Sequence, residues 1–194
     1  MTLNKKYATL IILCICSLSL TTPTFGQNWQ LNPDKSSIIF NGNHAGIMFT
    51  GTFDSFNTDI TFSQNQLEKA YTRVEIDMQK ITVSDNYYEQ TLQTQDWFDT
   101  KTYPTAYFST TKFEKLANKP DTYSIFGELT IKNITLPVQF IALIKTSSQI
   151  ATLDADFIIN RIDYQIGSIS DLEGNWVSKE IPVKIHIEAE IKDS

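Results

Sequence analysis

From residue 181 to residue 192 the chain alternates. Ile181, Val183, Ile185, Ile187, Ala189 and Ile191 stand on one side, and Lys184, His186, Glu188, Glu190 and Lys192 on the other. Successive side chains of a strand point to opposite faces, so this run predicts a strand with one oily and one wet face. The same period, less clean, recurs at residues 37–41, 46–56, 58–63, 70–78, 105–113, 122–131, 136–145 and 150–159. Polar links such as Ser63-Gln64-Asn65-Gln66 and Thr146-Ser147-Ser148-Gln149 separate most of them. Eight or nine antiparallel strands hide their apolar faces in one of two ways, by closing into a barrel or by stacking as a sandwich. The alternation leaves both open.

One stretch breaks the pattern. Over residues 84–95, Ser84 or Asp85 is placed to cap a short helix whose Tyr88, Leu92 and Gln95 share a face. No repeat, low-complexity run or glycine-serine linker interrupts the rest, so residues 27–194 read as a single domain.

Residues 1–26 stand apart from this pattern. Lys5 and Lys6 precede the apolar run 7–20, and Thr24 and Gly26 hold the −3 and −1 positions before Gln27. That order is the pattern of a secretory signal peptide, and the run is too short to read as a spanning helix. Cys14 and Cys16 both lie within it, so removal leaves 168 residues without cysteine. No disulfide, thiolate metal site or cysteine nucleophile is then available, and the domain holds together by packing alone. Removal also leaves 14 basic against 22 acidic side chains, a net charge of −8. That balance argues against nucleic-acid binding and against tight docking on anionic lipid.

The residues that carry chemistry are few. His186 falls on the wet side of its strand and reads as a solvated histidine, whereas His44 in Asn43-His44-Ala45-Gly46 suits a structural or a headgroup-contacting role. Asp96 and Asp99 bracket Trp97-Phe98, which a cap and a turn explain better than acid/base work. Asp154, Asp156, Asp163 and Asp171 lack the rhythm of a calcium loop, and neither a metal nor a cofactor is expected. Arg161, one of two arginines, suits either an anionic headgroup or a surface or intramolecular ion pair. The 12 Phe, 8 Tyr and 3 Trp suit a ligand-lined lumen and a packed aromatic core equally.

The order of motifs is specific. Trp29-x-Leu31-x-Pro33-Asp34-x-Ser36, Phe40-x-x-x-His44-x-Gly46 and Gly51-x-Phe53-x-x-Phe56 are followed by Leu92-x-x-x-Asp96-Trp97-Phe98-Asp99. Then come Tyr103-Pro104-x-x-x-Phe108-Ser109, Gly127-x-Leu129-Thr130-Ile131-Lys132-Asn133-Ile134-Thr135-x-Pro137-Val138 and Arg161-x-Asp163-Tyr164-x-Ile166-Gly167. Over nearly all of residues 29–192 this order resembles the YceI-like, polyisoprenoid-binding family. The resemblance implies an all-β, lipocalin-like antiparallel barrel of about eight strands with one short helical insert. It implies export in bacteria, to the periplasm or beyond the cell, and a long isoprenoid or similar amphiphile held inside without catalysis. The chain departs from the pattern at the helix, where Tyr87, Tyr88, Leu92 and Gln93 stand in place of a histidine and a Leu-Arg pair.

On this reading the partner is an isoprenoid chain, isoprenoid quinone or similar lipid. No stable membrane insertion is expected once residues 1–26 are removed, and the sequence specifies no oligomeric state. The expected lining is Phe40, Phe49, Phe53, Phe62, Ile76, Phe98, Phe108, Phe126, Phe140 and Phe157, with His44, Tyr88 and Arg161 at the mouth. Trp97 with Phe98 is either a lid over the opening or a hydrophobic staple for the helical insert. The alternatives are an interaction module with a side-chain-filled barrel and an enzyme acting on a small apolar substrate. The cleavage pattern carries its own test: intact mass of the exported protein is expected to show an N-terminus at Gln27, and a retained Met1 contradicts it.

Overall fold

A computed structural model describes residues 26–192, so the expected signal peptide lies outside the described residues except for Gly26. Eleven strands run in chain order: β1 (Asn28–Leu31), β2 (Ser37–His44), β3 (Ile47–Phe53), β4 (Phe56–Thr61), β5 (Tyr71–Asp77), β6 (Ile81–Val83), β7 (Thr105–Lys115), β8 (Thr122–Ile131), β9 (Ile134–Thr146), β10 (Ile150–Asn160) and β11 (Glu180–Ile191). Among the described residues are three single 3-10 turns and one α-helix, α1 (Asn86–Leu92), which lies between β6 and β7. Asp85 caps it by accepting from the Tyr87 amide at 2.8 Å, and it stops short of Gln95.

The choice between sandwich and barrel is decided by β1. It pairs antiparallel with β4 on one side and β11 on the other, closing the ring β1-β4-β5-β7-β8-β9-β10-β11. Every other pairing is antiparallel too, and β2, β3 and β6 extend three of these strands beyond the ring. The pieces β1/β2, β3/β4 and β5/β6 are consecutive lengths of bent strands. The alternating run at 46–56 therefore is not one strand: the chain breaks at Asp54 and Ser55, where Asp54 accepts from the hydroxyls of Thr52 and Thr82. Because β1 and β6 span only four and three residues, they are too short for a period to be seen.

The two ends of the barrel differ. At one, Trp29, Phe62, Phe113, Tyr123, Ile125, Ile144 and Ala189 pack across the interior and leave a smaller cavity of about 70 Å³. Phe62 meets Phe113 and Tyr123 with centroids 5.5 Å apart, and the Trp29 indole donates to the Phe62 carbonyl at 3.0 Å. Phe108, Phe140 and Phe157 form a partition, the last two stacked at 4.8 Å. Beyond it Ile38, Phe40, Ile76, Ile131, Ile181 and Val183 line the other end. Two glycines shape that wall. A side chain at Gly51 would collide with the Phe40 ring and one at Gly42 with Phe49, so each ring lies across the neighbouring strand.

The segment between β10 and β11 crosses this second end, held by Arg161, which is only 2% exposed. Its Nη2 donates to the Asp171 carboxylate at 2.8 Å and to the carbonyls of Asp171 and Val177. Nη1 donates to Ile166 at 2.7 Å and Nε to Ser178 at 3.1 Å. Asp171 in turn accepts from the amides of Val177 and Trp176. Burial pushes the Asp171 carboxyl up, but these amides and the Arg161 charge outweigh it, leaving it below the usual carboxylate range. Because the folded value lies below the unfolded one, the stabilisation is complete above about pH 4 and fades as pH drops through the folded value. Asp171→Asn is expected to cost about 3–5 kcal/mol in urea unfolding at pH 7, by stranding a buried guanidinium. The gap between variant and wild type is expected to narrow at pH 3. A loss below 1 kcal/mol at pH 7 shows that the pair does not hold this segment.

Candidate ligand-binding cavity

After α1 the chain turns back on itself. Asp99 has φ +48°, the Phe98 amide donates to the Leu92 carbonyl at 2.9 Å, and the Trp97 amide donates to Thr94 at 3.0 Å. This tight turn aims Trp97 and Phe98 at the barrel axis. Asp96 fixes the turn from outside: its carboxylate accepts from the amides of Ile169 and Ser170 at 2.8 and 3.0 Å and from the Ser170 hydroxyl at 2.5 Å. Burial raises the Asp96 carboxyl, but these bonds and the nearby Lys132 charge bring it below its ordinary range. Asp96 therefore joins the α1 turn to the segment held by Arg161.

Between this cover and the aromatic partition lies a cavity of about 120 Å³. Its wall is apolar on every side, drawn from β2, β3, β5 and β7 to β11 and from the cover, and Arg161 is the one charged residue among the described residues that line it. Above it opens a vestibule of about 530 Å³ with a different chemistry: His44, Tyr87, Tyr88, Thr91, Thr94, Asp96, Ser170, Asp171 and Trp176 face it. Phe49, Leu92, Trp97 and Val177 line both spaces and form the neck between them. Apolar side chains stand exposed on the segments bordering the vestibule, among them Ile47 and Met48 on the β2–β3 hairpin, Tyr87 on α1, and Ile169, Leu172 and Trp176.

Most of the residues singled out from the sequence meet here. Phe40, Phe49, Phe53, Ile76, Trp97, Phe98, Phe108, Phe140, Phe157 and Arg161 line the lumen, and His44 and Tyr88 face the vestibule. His44 Nδ1 and the Tyr88 hydroxyl lie 2.8 Å apart. The Trp97-Phe98 pair divides its roles: Phe98 is buried edge-on against Phe53, whereas Trp97 stands half-buried in the neck.

Three expectations are corrected. Phe62 points into the barrel but at the packed end, on the far side of the partition, because alternation reports the face of a strand and not the depth along it. Phe126 faces outward beneath the Lys112 ammonium, 5.8 Å from its ring, while Tyr123, Ile125, Leu129 and Ile131 of β8 take the inward side. Arg161 is no headgroup contact at the mouth, since its guanidinium is given to Asp171 and to backbone carbonyls and lies 5.3 Å from the Trp97 ring. The intramolecular pair is the reading that holds. Ile166 and Val177 reach the lumen from an irregular segment with no period to announce them, whereas Ile181 and Val183 were visible in the alternation of β11.

The architecture has known counterparts. BcnA of Burkholderia cenocepacia superposes with a TM-score of 0.76 over 81% of this chain and 98% of its own, at 23% identity. A polyisoprenoid binding domain from Saccharophagus degradans, implicated in plant cell wall breakdown, superposes with a TM-score of 0.66 over 87% of this chain and all of its own, at 14% identity. At these identities the likeness is one of fold. A UPF0312 protein of Photorhabdus laumondii is 29% identical over 114 residues, 57% of this chain, and the match spans 58% of the relative's own length. The YceI-like domain matches residues 29–189, from the Trp29 that plugs the closed end to the Ala189 that pairs with β1. This chain therefore belongs to the YceI-like domain family.

Proposed function

We propose that the barrel binds a long apolar amphiphile, an isoprenoid chain, isoprenoid quinone or similar lipid, and sequesters or carries it outside the cytoplasm. The observation that carries this reading is the apolar lumen joined through a neck to a vestibule that mixes apolar side chains with polar and charged groups. A tail belongs in the first space and a headgroup in the second. The Saccharophagus relative, a polyisoprenoid binding domain of the same fold, supports it, as does the signal-peptide pattern of residues 1–26. Binding without catalysis is part of the proposal, since His44, the histidine facing the site, is engaged with Tyr88 and with neither a nucleophile nor a carboxylate.

Magnitudes set a condition on the ligand. Ten buried methylenes contribute roughly 8 kcal/mol before association costs of at least about 4 kcal/mol, so submicromolar affinity calls for a longer tail. A lumen of 120 Å³ resembles in size the engineered apolar cavity of about 150 Å³ that takes a benzene. A longer tail therefore displaces the neck, and Trp97, half-buried and shared by both spaces, is the side chain placed to swing. The modest volume also favours a second reading, in which the interior stays filled and the protein serves as an extracytoplasmic interaction module.

An organic extract of the gently purified exported protein is expected to yield about one apolar lipid per chain by mass spectrometry. Trp97→Ala is expected to speed lipid transfer to acceptor vesicles while the delipidated variant still unfolds cooperatively. Phe98→Ala is expected to cost about 3–5 kcal/mol of stability, as for a buried aromatic. An empty extract together with no uptake of added isoprenoid alcohol selects the interaction module instead.

A further inference from the structure

The vestibule sets its polar groups among apolar side chains, and the charges these present are of one sign. Its ionisable lining consists of His44, Tyr87, Tyr88, Asp96 and Asp171, and among the described residues no lysine or arginine lines it. Two cations stand close by and both are occupied. Arg161 lies behind Asp171, bonded to that carboxylate and to four backbone carbonyls. The Lys132 ammonium is held by the carbonyls of Gln95, Asp96 and Gln165 at 2.9–3.3 Å. Asp96 keeps its negative charge, because its oxygens accept from Ile169 and Ser170. A phosphate brought into this space meets a carboxylate and finds no free cation, so it loses water without compensation.

The pair at the neck side offers something else. One proton joins His44 Nδ1 and the Tyr88 oxygen across 2.8 Å. If tyrosine donates it, the Nε2–H of His44 and an oxygen lone pair of Tyr88 remain. If histidine donates it, the Tyr88 hydroxyl proton and the Nε2 lone pair remain. Either arrangement leaves one donor and one acceptor and no net charge, a match for a hydroxyl or a carbonyl. The two rings also pack edge to face at 5.1 Å, and Tyr88 touches Phe49 of the neck at 5.9 Å. The hydrogen-bonding pair therefore sits where a tail threaded through the neck would present its first polar atoms.

We infer that the vestibule selects an uncharged hydroxyl- or carbonyl-bearing headgroup and rejects a phosphorylated one, with His44 and Tyr88 as the residues that meet it. This rests on the tail-binding reading above, and the test separates the two. Delipidated protein is titrated calorimetrically with phytanol, with phytanyl monophosphate and with phytane, three probes of one saturated branched chain that differ at the head. The alcohol is expected to bind at least tenfold more tightly than the monophosphate. Tyr88→Phe is expected to lower the alcohol-to-phytane affinity ratio about two- to tenfold, the range for one hydrogen bond. Thr94→Lys, which adds a cation to the exposed rim, is expected to raise monophosphate affinity relative to the alcohol about tenfold. Monophosphate binding as tight as the alcohol overturns the headgroup inference and leaves the tail reading standing, as does an alcohol-to-phytane ratio that Tyr88→Phe does not move. Binding of none of the three overturns both.

Discussion

Closure of the ring is what the rest of the molecule depends on. An eight-stranded barrel has an interior just wide enough to be filled by side chains or to hold one small ligand, and β1, four residues long, closes it by pairing with β4 and β11 at once. Once the diameter is set, each end of the axis must be filled or lined. Trp29, on that same short strand, helps to pack one end with Phe62, Phe113 and Tyr123. The Phe108, Phe140 and Phe157 rings stop this packing partway along, and what lies beyond them is apolar wall around open space.

An open end exposes an apolar lining unless something covers it, and strands alone supply no cover. The α1 turn and the segment between β10 and β11 provide one, each held by a buried or half-buried acid. Asp171 meets Arg161, and Asp96 gathers the amides of Ile169 and Ser170 from the opposite segment. The polar atoms are consumed in building the cover, so the lumen beneath is left apolar. Trp97 lies against the Arg161 guanidinium on one side and lines the neck, which couples the neck to the anchored segment. The architecture places its rigid element behind the neck and its half-buried side chain within it.

Much of this was legible in the residues. The alternation at 181–191 orients β11 correctly, with Ile181 and Val183 inside and His186 outside, where it meets Asp154 at 2.7 Å. The joint order of the motifs pointed to the family that the comparison bears out over residues 29–189. What escaped has physical causes. Phe62 and Phe40 both point inward on alternating strands, yet only the three-dimensional stagger of the barrel tells which end each reaches. Arg161 finds its carbonyl partners at Ile166, Asp171, Val177 and Ser178, an irregular spacing with no pattern to read. The break at Asp54 and Ser55 shifts the period by one residue, with Phe49 and Phe53 inward before it and Thr58, Ile60 and Phe62 inward after it, a change of phase that Phe53 and Phe56 on either side disguise.

The central claim is that an apolar tail lies between the partition and the neck, and methyl NMR tests it most directly. With isoleucine methyls labelled and an isoprenoid alcohol bound, intermolecular NOEs are expected to Ile38, Ile76 and Ile181 in the lumen, and none to Ile60 and Ile144 beyond the partition. Contacts confined to the outward-facing Ile141 and Ile158, or contacts to Ile60 and Ile144 in place of the lumen, contradict it.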